Sequence, residues 1–248
     1  MDMRNLEGIR PSEPRLEKLL VLPQMGGGIM TVDMAKYPIF LELGARRVVV
    51  VGGGLVALRK AQVLLEAGAR LVIVARQTCS AMSRLCIENP VELVRARYSK
   101  DYLGQAVLVI AATNEAEVNR RIYEDCQELE ILCNVVDQPH LCDFFVPAVV
   151  RRGDLQIAIG TEGFCPAYAS HLRKGLERVV TEDHGRFLAE LEVFRKRLFK
   201  AVLDPAGRKG LLGQLVSDAS FHVFVEKGPV AWRRYAARQI RESTKPAE

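Results

Sequence analysis

Arg47-Val48-Val49-Val50-Val51-Gly52-Gly53-Gly54-Leu55-Val56-Ala57-Leu58-Arg59-Lys60 is the stretch whose reading decides the fold. Its valine run predicts a strand covered on both faces, because β-branched side chains fit a pleated, enclosed surface. Three glycines break the run. Val56 to Ala67 then carries Ala57, Ala61, Leu64 and Leu65 at helical spacing, with Gly68 where a left-handed C-cap belongs. Leu71-Val72-Ile73-Val74 supplies a second strand, so the unit is β-α-β. Gly52, Gly54 and Ala57 match G-x-G-x-x-A in the context that gives the pattern meaning. Gly52 allows the tight turn, Gly54 lets the backbone approach a pyrophosphate, and Ala57 keeps helix and strand close. The helix N-terminus faces the phosphate charge. The competing reading is a glycine-rich turn that binds nothing.

Working outward, the segment after the second strand is Ala75-Arg76-Gln77, where an acid ordinarily meets the ribose of NAD. No acid is present. Arg76 either approaches a 2′-phosphate, which would mean NADP, or faces solvent. A helix around Cys79 to Glu88 and a strand over Val91–Ala96 follow. Ala106–Ala112 is a buried fourth strand ending at Thr113-Asn114. A helix runs from Glu115 to about Glu128, and Leu132–Val136 is a fifth strand ending at Asp137. Ligands of open α/β sheets bind beyond the carboxyl ends of strands, so Thr113, Asn114 and Asp137 are expected to border the nucleotide crevice. Asp137 precedes Gln138-Pro139 and could equally cap that turn.

From Phe144 the period changes. Phe145–Val150, the turn Arg151-Arg152-Gly153-Asp154 and Leu155–Ile159 predict a hairpin. Pro166 opens a helix running to Val180. Thr161, Gly163 and that helix's N-terminus either hold an acidic group or simply cap the helix. Such a strand–strand–helix unit suits a dimerising or substrate-gathering module. Beyond Thr181 the chain is helical, with Phe187, Leu191, Phe194, Leu198 and Val202 on one stripe. Asp204-Pro205-Ala206-Gly207 breaks it, and one or two further helices fill 211–241. Upstream, Tyr37–Leu43 reads as a strand. Residues 1–29 have linker chemistry around a short apolar element at Leu16–Val21. Met30 or Met34 is a candidate natural start, since Gly26-Gly27-Gly28 is what a purine-rich ribosome-binding site would encode.

Composition sets the outer limits. The 248 residues allow a sizeable core, with 49% hydrophobic and 26% charged residues, ordinary values for a soluble protein. No apolar run approaches the ~20 residues of a membrane helix, and the first residues lack a secretory signal's apolar core. A cytoplasmic location is the expectation. Six scattered cysteines without a C-x-x-C pair favour reduced thiols over metal or disulfides. The four histidines, at 140, 171, 184 and 222, have no ligand spacing. A net charge of +5 with little aromatic–basic interleaving argues against nucleic acid.

Taken in order, Tyr37-Pro38-Ile39-Phe40, the G-G-G-x-V-A-x-R-K run to Lys60, Ala111-Ala112-Thr113-Asn114, Cys133-Asn134-Val135-Val136-Asp137, Pro147-Ala148, Arg152-Gly153-Asp154-Leu155 and Thr161-Glu162-Gly163 leading to Pro166 resemble the precorrin-2 dehydrogenases of siroheme synthesis. Those occur alone or at the front of siroheme synthases. The resemblance implies a Rossmann-type α/β domain, a small α+β dimerisation region and a helical C-terminal domain. The corresponding divisions are an extension at 1–29, then 30–143, 144–180 and 181–248. It implies a homodimer that oxidises precorrin-2 to sirohydrochlorin with NAD, with Arg76 facing solvent. Some members also insert iron. The implied nucleotide contacts are Gly52, Gly53, Gly54, Leu55, Val56, Ala75, Arg76, Thr113 and Asn114. Asp137 matches the functional aspartate, as base or as positioner. The substrate's eight carboxylates suit a gathering set of Asn134, Arg151, Arg152, Thr161 and Gly163, with Arg173 and Lys174 nearby. Two departures stand out: Gly160-Thr161 replaces a Ser-Thr or Ser-Ser pair, and Cys165 replaces a serine, which counts against iron insertion. Two alternatives remain, a dehydrogenase that is also a ferrochelatase and a non-catalytic NAD(H)-sensing module.

Overall fold

Five parallel strands in the order β3-β2-β1-β4-β5 organise the computed structural model, which describes residues 36–201 and 204–243. They are β1 (Arg47–Val51), β2 (Arg70–Val74), β3 (Glu92–Val94), β4 (Leu108–Ala111) and β5 (Leu132–Val135). From Pro38 onward the chain is one unit. The candidate start sites, the Leu16–Val21 element and Val202 lie outside the described residues.

Alternation along β1 explains the layering. Val48 and Val50 join Leu71, Ile73, Leu108 and Ile110 on the face covered by α1 (Leu55–Glu66) and α2 (Ser80–Glu88). Val49 and Val51 join Val72, Val74, Val109 and Ala111 on the opposite face, against Ile122 and Cys126 of α3 (Ala116–Glu128). Both faces are therefore apolar and covered, as the valine run requires. Strand order reverses between β1 and β4, which opens a crevice at their carboxyl ends.

Two expectations need correction. No strand forms over 38–43, where Ile39 and Phe40 are exposed. β2 and β4 already flank β1, so the leading segment has no ladder to join there. The third strand is also shorter than its hydrophobic run, because only Val72–Val74 of β2 pair with it.

Beyond the sheet, β6 (Ala148–Arg152) and β7 (Leu155–Ile159) form an antiparallel hairpin. Its turn is Gly153-Asp154 alone, with Gly153 at φ 57°, so Arg151 and Arg152 sit on the strand rather than in the turn. Four helices follow: α4 (Pro166–Val179), α5 (Glu182–Ala201), α6 (Pro205–Leu215) and α7 (Asp218–Ser243). Asp204 starts α6, its carboxylate accepting from the N–H groups of Ala206 and Gly207 at 3.3 and 2.7 Å. A bend at Gly228 (φ 77°) and Pro229 divides α7. Trp232 locks α7 to α5. Its ring meets Phe187 and Phe194 edge-on at centroid distances of 5.3 and 5.1 Å. Its indole N–H donates to the buried Ser220 hydroxyl at 2.8 Å. Among the described residues no helix is long and apolar enough to cross a membrane.

Removing the fully buried Trp232 leaves a large void and an unpaired Ser220 hydroxyl. Trp232→Ala is expected to cost ~3–5 kcal/mol, read from urea unfolding followed by far-UV circular dichroism. A loss below ~1 kcal/mol would mean the aromatic cluster does not hold α5 to α7.

Candidate nucleotide-binding crevice

The three glycines do different jobs. Gly52 stands at φ 136°, and a Cβ there would lie 2.3 Å from the Ala112 carbonyl oxygen at the end of β4. Gly53 would put a Cβ 2.0 Å from the Gln77 carbonyl oxygen, and its own carbonyl accepts from the Cys79 N–H at 2.8 Å. Close packing of the β1, β2 and β4 turns thus excludes any side chain at either position. Gly54 differs, since a Cβ there meets nothing within 4 Å. It is the N-cap of α1, without a side-chain cap, and the first turn carries no acid. The opening N–H groups of α1 therefore face open space, the arrangement an anion requires. Leu55 and Val56, beside that opening, are 61% and 41% exposed, apolar surface that a bound nucleotide would cover. The role of Gly53 was not legible, because the motif leaves its position unspecified.

At the end of β2, Ala75 is buried and its N–H bonds the Val94 carbonyl at 3.0 Å. Arg76, expected to face solvent, is exposed and also forms an ion pair with Glu115 at 2.7 Å. On the other flank Thr113 is clamped by the buried Asn119. The Thr113 hydroxyl and N–H donate to Asn119 Oδ1 at 2.7 and 3.2 Å, and Asn119 Nδ2 returns a bond to the Thr113 carbonyl at 3.0 Å. Asn114, next to it, is exposed. Asn119 was not foreseen. Its signal was a polar residue on the inward stripe of α3, in step with Ile122 and Cys126.

Asp137 follows β5 at φ 60°, in the left-handed region that a non-glycine residue rarely occupies. Its side chain is exposed and makes no hydrogen bond among the described residues. The short turn Pro139–Leu141 has Gln138 at its N-cap, without a side-chain cap, so the capping role for Asp137 falls away. Lys60 on α1 lies within the field of Asp137. Burial pushes its ammonium below the usual lysine range, and the neighbouring Cys142 and Asp137 oppose that shift. Asn134 is buried and donates to the Phe144 carbonyl at 2.9 Å, bracing the loop that carries Asp137.

The remaining expected residues lie elsewhere. Arg152 spends all three guanidinium nitrogens internally, on the carbonyls of Arg151, Glu177 and Val180, so it caps the end of α4. Arg151 pairs with Glu66, at the end of α1 away from the glycine turn. Thr161 and Gly163 form the turn before α4, closed by a 2.8 Å bond from the Phe164 N–H to the Thr161 carbonyl. Between α1 and the 144–146 segment lies an apolar hollow of about 280 Å³, lined by Val56, Val63, Leu108, Ile110, Phe144 and Val146, with Arg59 and Lys60 also on its wall.

This geometry separates two kinds of glycine variant. Gly54→Val should fold normally and lose nucleotide binding, measured by calorimetric titration with ADP-ribose. Gly52→Ala should instead lower stability by roughly 2 kcal/mol or more, because its Cβ collides with backbone. Equal nucleotide affinity in Gly54→Val and wild type would refute the assignment of the opening.

A family model for NAD(P)-binding domains matches residues 39–148. The siroheme synthase of Psychrobacter arcticus is 36% identical over 176 residues, 71% of this chain and 32% of that protein. That of Nitrosospira multiformis is 40% identical over 176 residues, 69% of this chain and 37% of that protein. That of Thioalkalivibrio sulfidiphilus is 34% identical over 206 residues, 83% of this chain and 41% of that protein. The chain thus spans about a third to two fifths of these relatives' length. Among solved structures, SirC, a precorrin-2 dehydrogenase, shares the fold with a TM-score of 0.68 at 23% identity, covering 84% of this chain and 100% of its own. The glycine turn and these relatives agree: the chain is similar to the siroheme synthases over about a third to two fifths of their length, and it shares the fold of a precorrin-2 dehydrogenase.

Proposed function

We propose that the protein oxidises precorrin-2 to sirohydrochlorin with NAD, as a cytoplasmic homodimer. The observation that carries this reading is the meeting of three features at one end of the sheet. They are the side-chain-free opening at Gly54, the clamped Thr113 and the unpaired carboxylate of Asp137. The residues present fit the nucleotide: the free N–H groups of α1 would receive the pyrophosphate, and Leu55 and Val56 would pack on it.

NAD, when bound, supplies the acceptor for a hydride. The substrate loses that hydride and one proton, and the proton must reach a group of the protein or water. In this reading Asp137 receives it or holds a ring N–H; in support, no hydrogen bond occupies its oxygens among the described residues. Lys60, half-buried on α1, is the neighbouring cation of Asp137. The apolar hollow beside α1 offers a surface to one edge of the macrocycle, with Arg59 and Lys60 available to its carboxylates. Arg152 is excluded from that task by its internal bonds. Arg76 and Glu115 neutralise one another near the expected ribose position, which supports NAD over NADP.

Dimerisation through the 144–180 region rests on exposed apolar residues. Phe164 is 78% exposed, and Tyr168, Leu172 and Val179 on α4 are also exposed. A second copy covering them would remove a sizeable apolar patch from water.

Three measurements test these readings. Asp137→Ala should keep nucleotide binding and lose ~10²-fold or more in the rate of precorrin-2 oxidation, followed by anaerobic absorbance. Asp137→Asn separates the roles, since it keeps an acceptor but cannot take the proton. A wild-type rate in the alanine variant would remove Asp137 from the reaction. Spectra recorded after adding iron or cobalt report insertion separately. For assembly, sedimentation at micromolar concentration should show twice the 27.6 kDa chain mass. A monomer alone would contradict the α4 interface.

A further inference from the structure

Arg76 stands two residues beyond the end of β2, where the adenosine ribose of a bound dinucleotide lies in this fold. An unpaired guanidinium there would attract a 2′-phosphate, and an acid there would hold a 2′-hydroxyl. The chain has the arginine in sequence, but the structure brings an acid to it from a different strand. Glu115 comes from the turn after β4, and β1 with its glycine turn lies between β4 and β2. The two side chains therefore meet across the crevice at 2.7 Å.

Glu115 is not there to cap α3. It occupies the N-cap position with extended backbone, φ −104° and ψ 103°, yet makes no side-chain capping bond. A carboxylate at a helix start would ordinarily take those N–H groups. Its backbone is fixed instead by Thr113 and Asn119. The Glu115 N–H donates to the Thr113 hydroxyl at 3.2 Å, and the Glu115 carbonyl accepts from the Asn119 N–H at 3.0 Å. The buried Asn119 side chain holds Thr113, and the Thr113 hydroxyl in turn holds the Glu115 backbone, leaving the Glu115 carboxylate to reach Arg76. Both side chains are more than half exposed, 56% and 58%, so the pair contributes little to stability. Its consequence lies in the charge it presents to a ligand.

We propose that Glu115, aimed by the Asn119 clamp and paired with Arg76, is the residue that selects NAD over NADP. Paired, Arg76 has a donor edge engaged and its charge offset. The carboxylate offers an acceptor to a ribose 2′-hydroxyl. A 2′-phosphate, carrying about −1.5 to −2 charges, meets that carboxylate as a like charge. This inference rests on the nucleotide reading of the crevice. It adds an acid supplied from β4 in place of the one missing after β2.

The test compares ADP-ribose with 2′-phospho-ADP-ribose by calorimetric titration of the full chain, so that no turnover is needed. Wild type should bind the unphosphorylated probe more tightly. Glu115→Gln frees Arg76 and should shift the ratio of the two dissociation constants by about tenfold toward the phosphorylated probe. The gain should shrink as salt rises. Arg76→Ala added to Glu115→Gln should abolish the gain, which a general loosening of the loop would not do. An unchanged ratio in Glu115→Gln, or a gain that survives loss of Arg76, overturns the assignment while leaving nucleotide binding intact. Failure of wild type to bind either probe would overturn the nucleotide reading and this inference with it.

Discussion

The structure depends on how closely three strand ends approach one another. At Gly52 the turn after β1 comes so near the end of β4 that a single carbon would lie 2.3 Å from the Ala112 oxygen. At Gly53 the same turn presses on the segment after β2, with 2.0 Å to the Gln77 oxygen. No other residue type fits those two positions without moving backbone. Gly54, one residue on, opens to solvent because its neighbours have already been drawn together. The opening at Gly54 is thus a by-product of packing. Two glycines are needed to build it and a third leaves it empty.

Around that point the sheet acts as a rigid mount. Val48 to Val51 are buried on alternate faces under helices from both sides, so the crevice end cannot shift without disturbing two cores. Polar side chains then fix the loops that the backbone alone would leave free. Asn119 holds the turn after β4 through three bonds to Thr113, and Asn134 holds the loop after β5 through Phe144. Each is buried, and each would leave unsatisfied partners if removed. Asp137 stands apart from this pattern. It sits on a left-handed backbone, exposed, with its carboxylate uncommitted.

Most of the fold was legible because it rests on local chemistry. The valine run, the glycine break, Gly68 at φ 75° and the Asp204-Pro205 start each act over a few residues. The strand expected at 37–43 failed for a non-local reason. Its hydrophobic composition was suitable, but β1 already had a neighbour on each side. The same division holds at the site. The placement of the glycine turn, Thr113 and Asp137 at strand ends was legible, whereas the contacts of Glu115, Asn119 and Lys60 depend on partners distant in sequence or on burial. The arginines were misleading for the same reason. Arg152 looked like a cation for an acidic substrate until its contacts with the end of α4 were seen.

On the function proposed above, this crevice performs chemistry and does not merely sense a nucleotide. The most direct measurement is the stoichiometry of anaerobic turnover by the wild-type chain supplied with precorrin-2 and NAD. One NADH for each sirohydrochlorin formed is the result expected. Saturable NAD binding with no NADH above the rate of a Gly54→Val control would contradict it, and would leave a sensing module in its place.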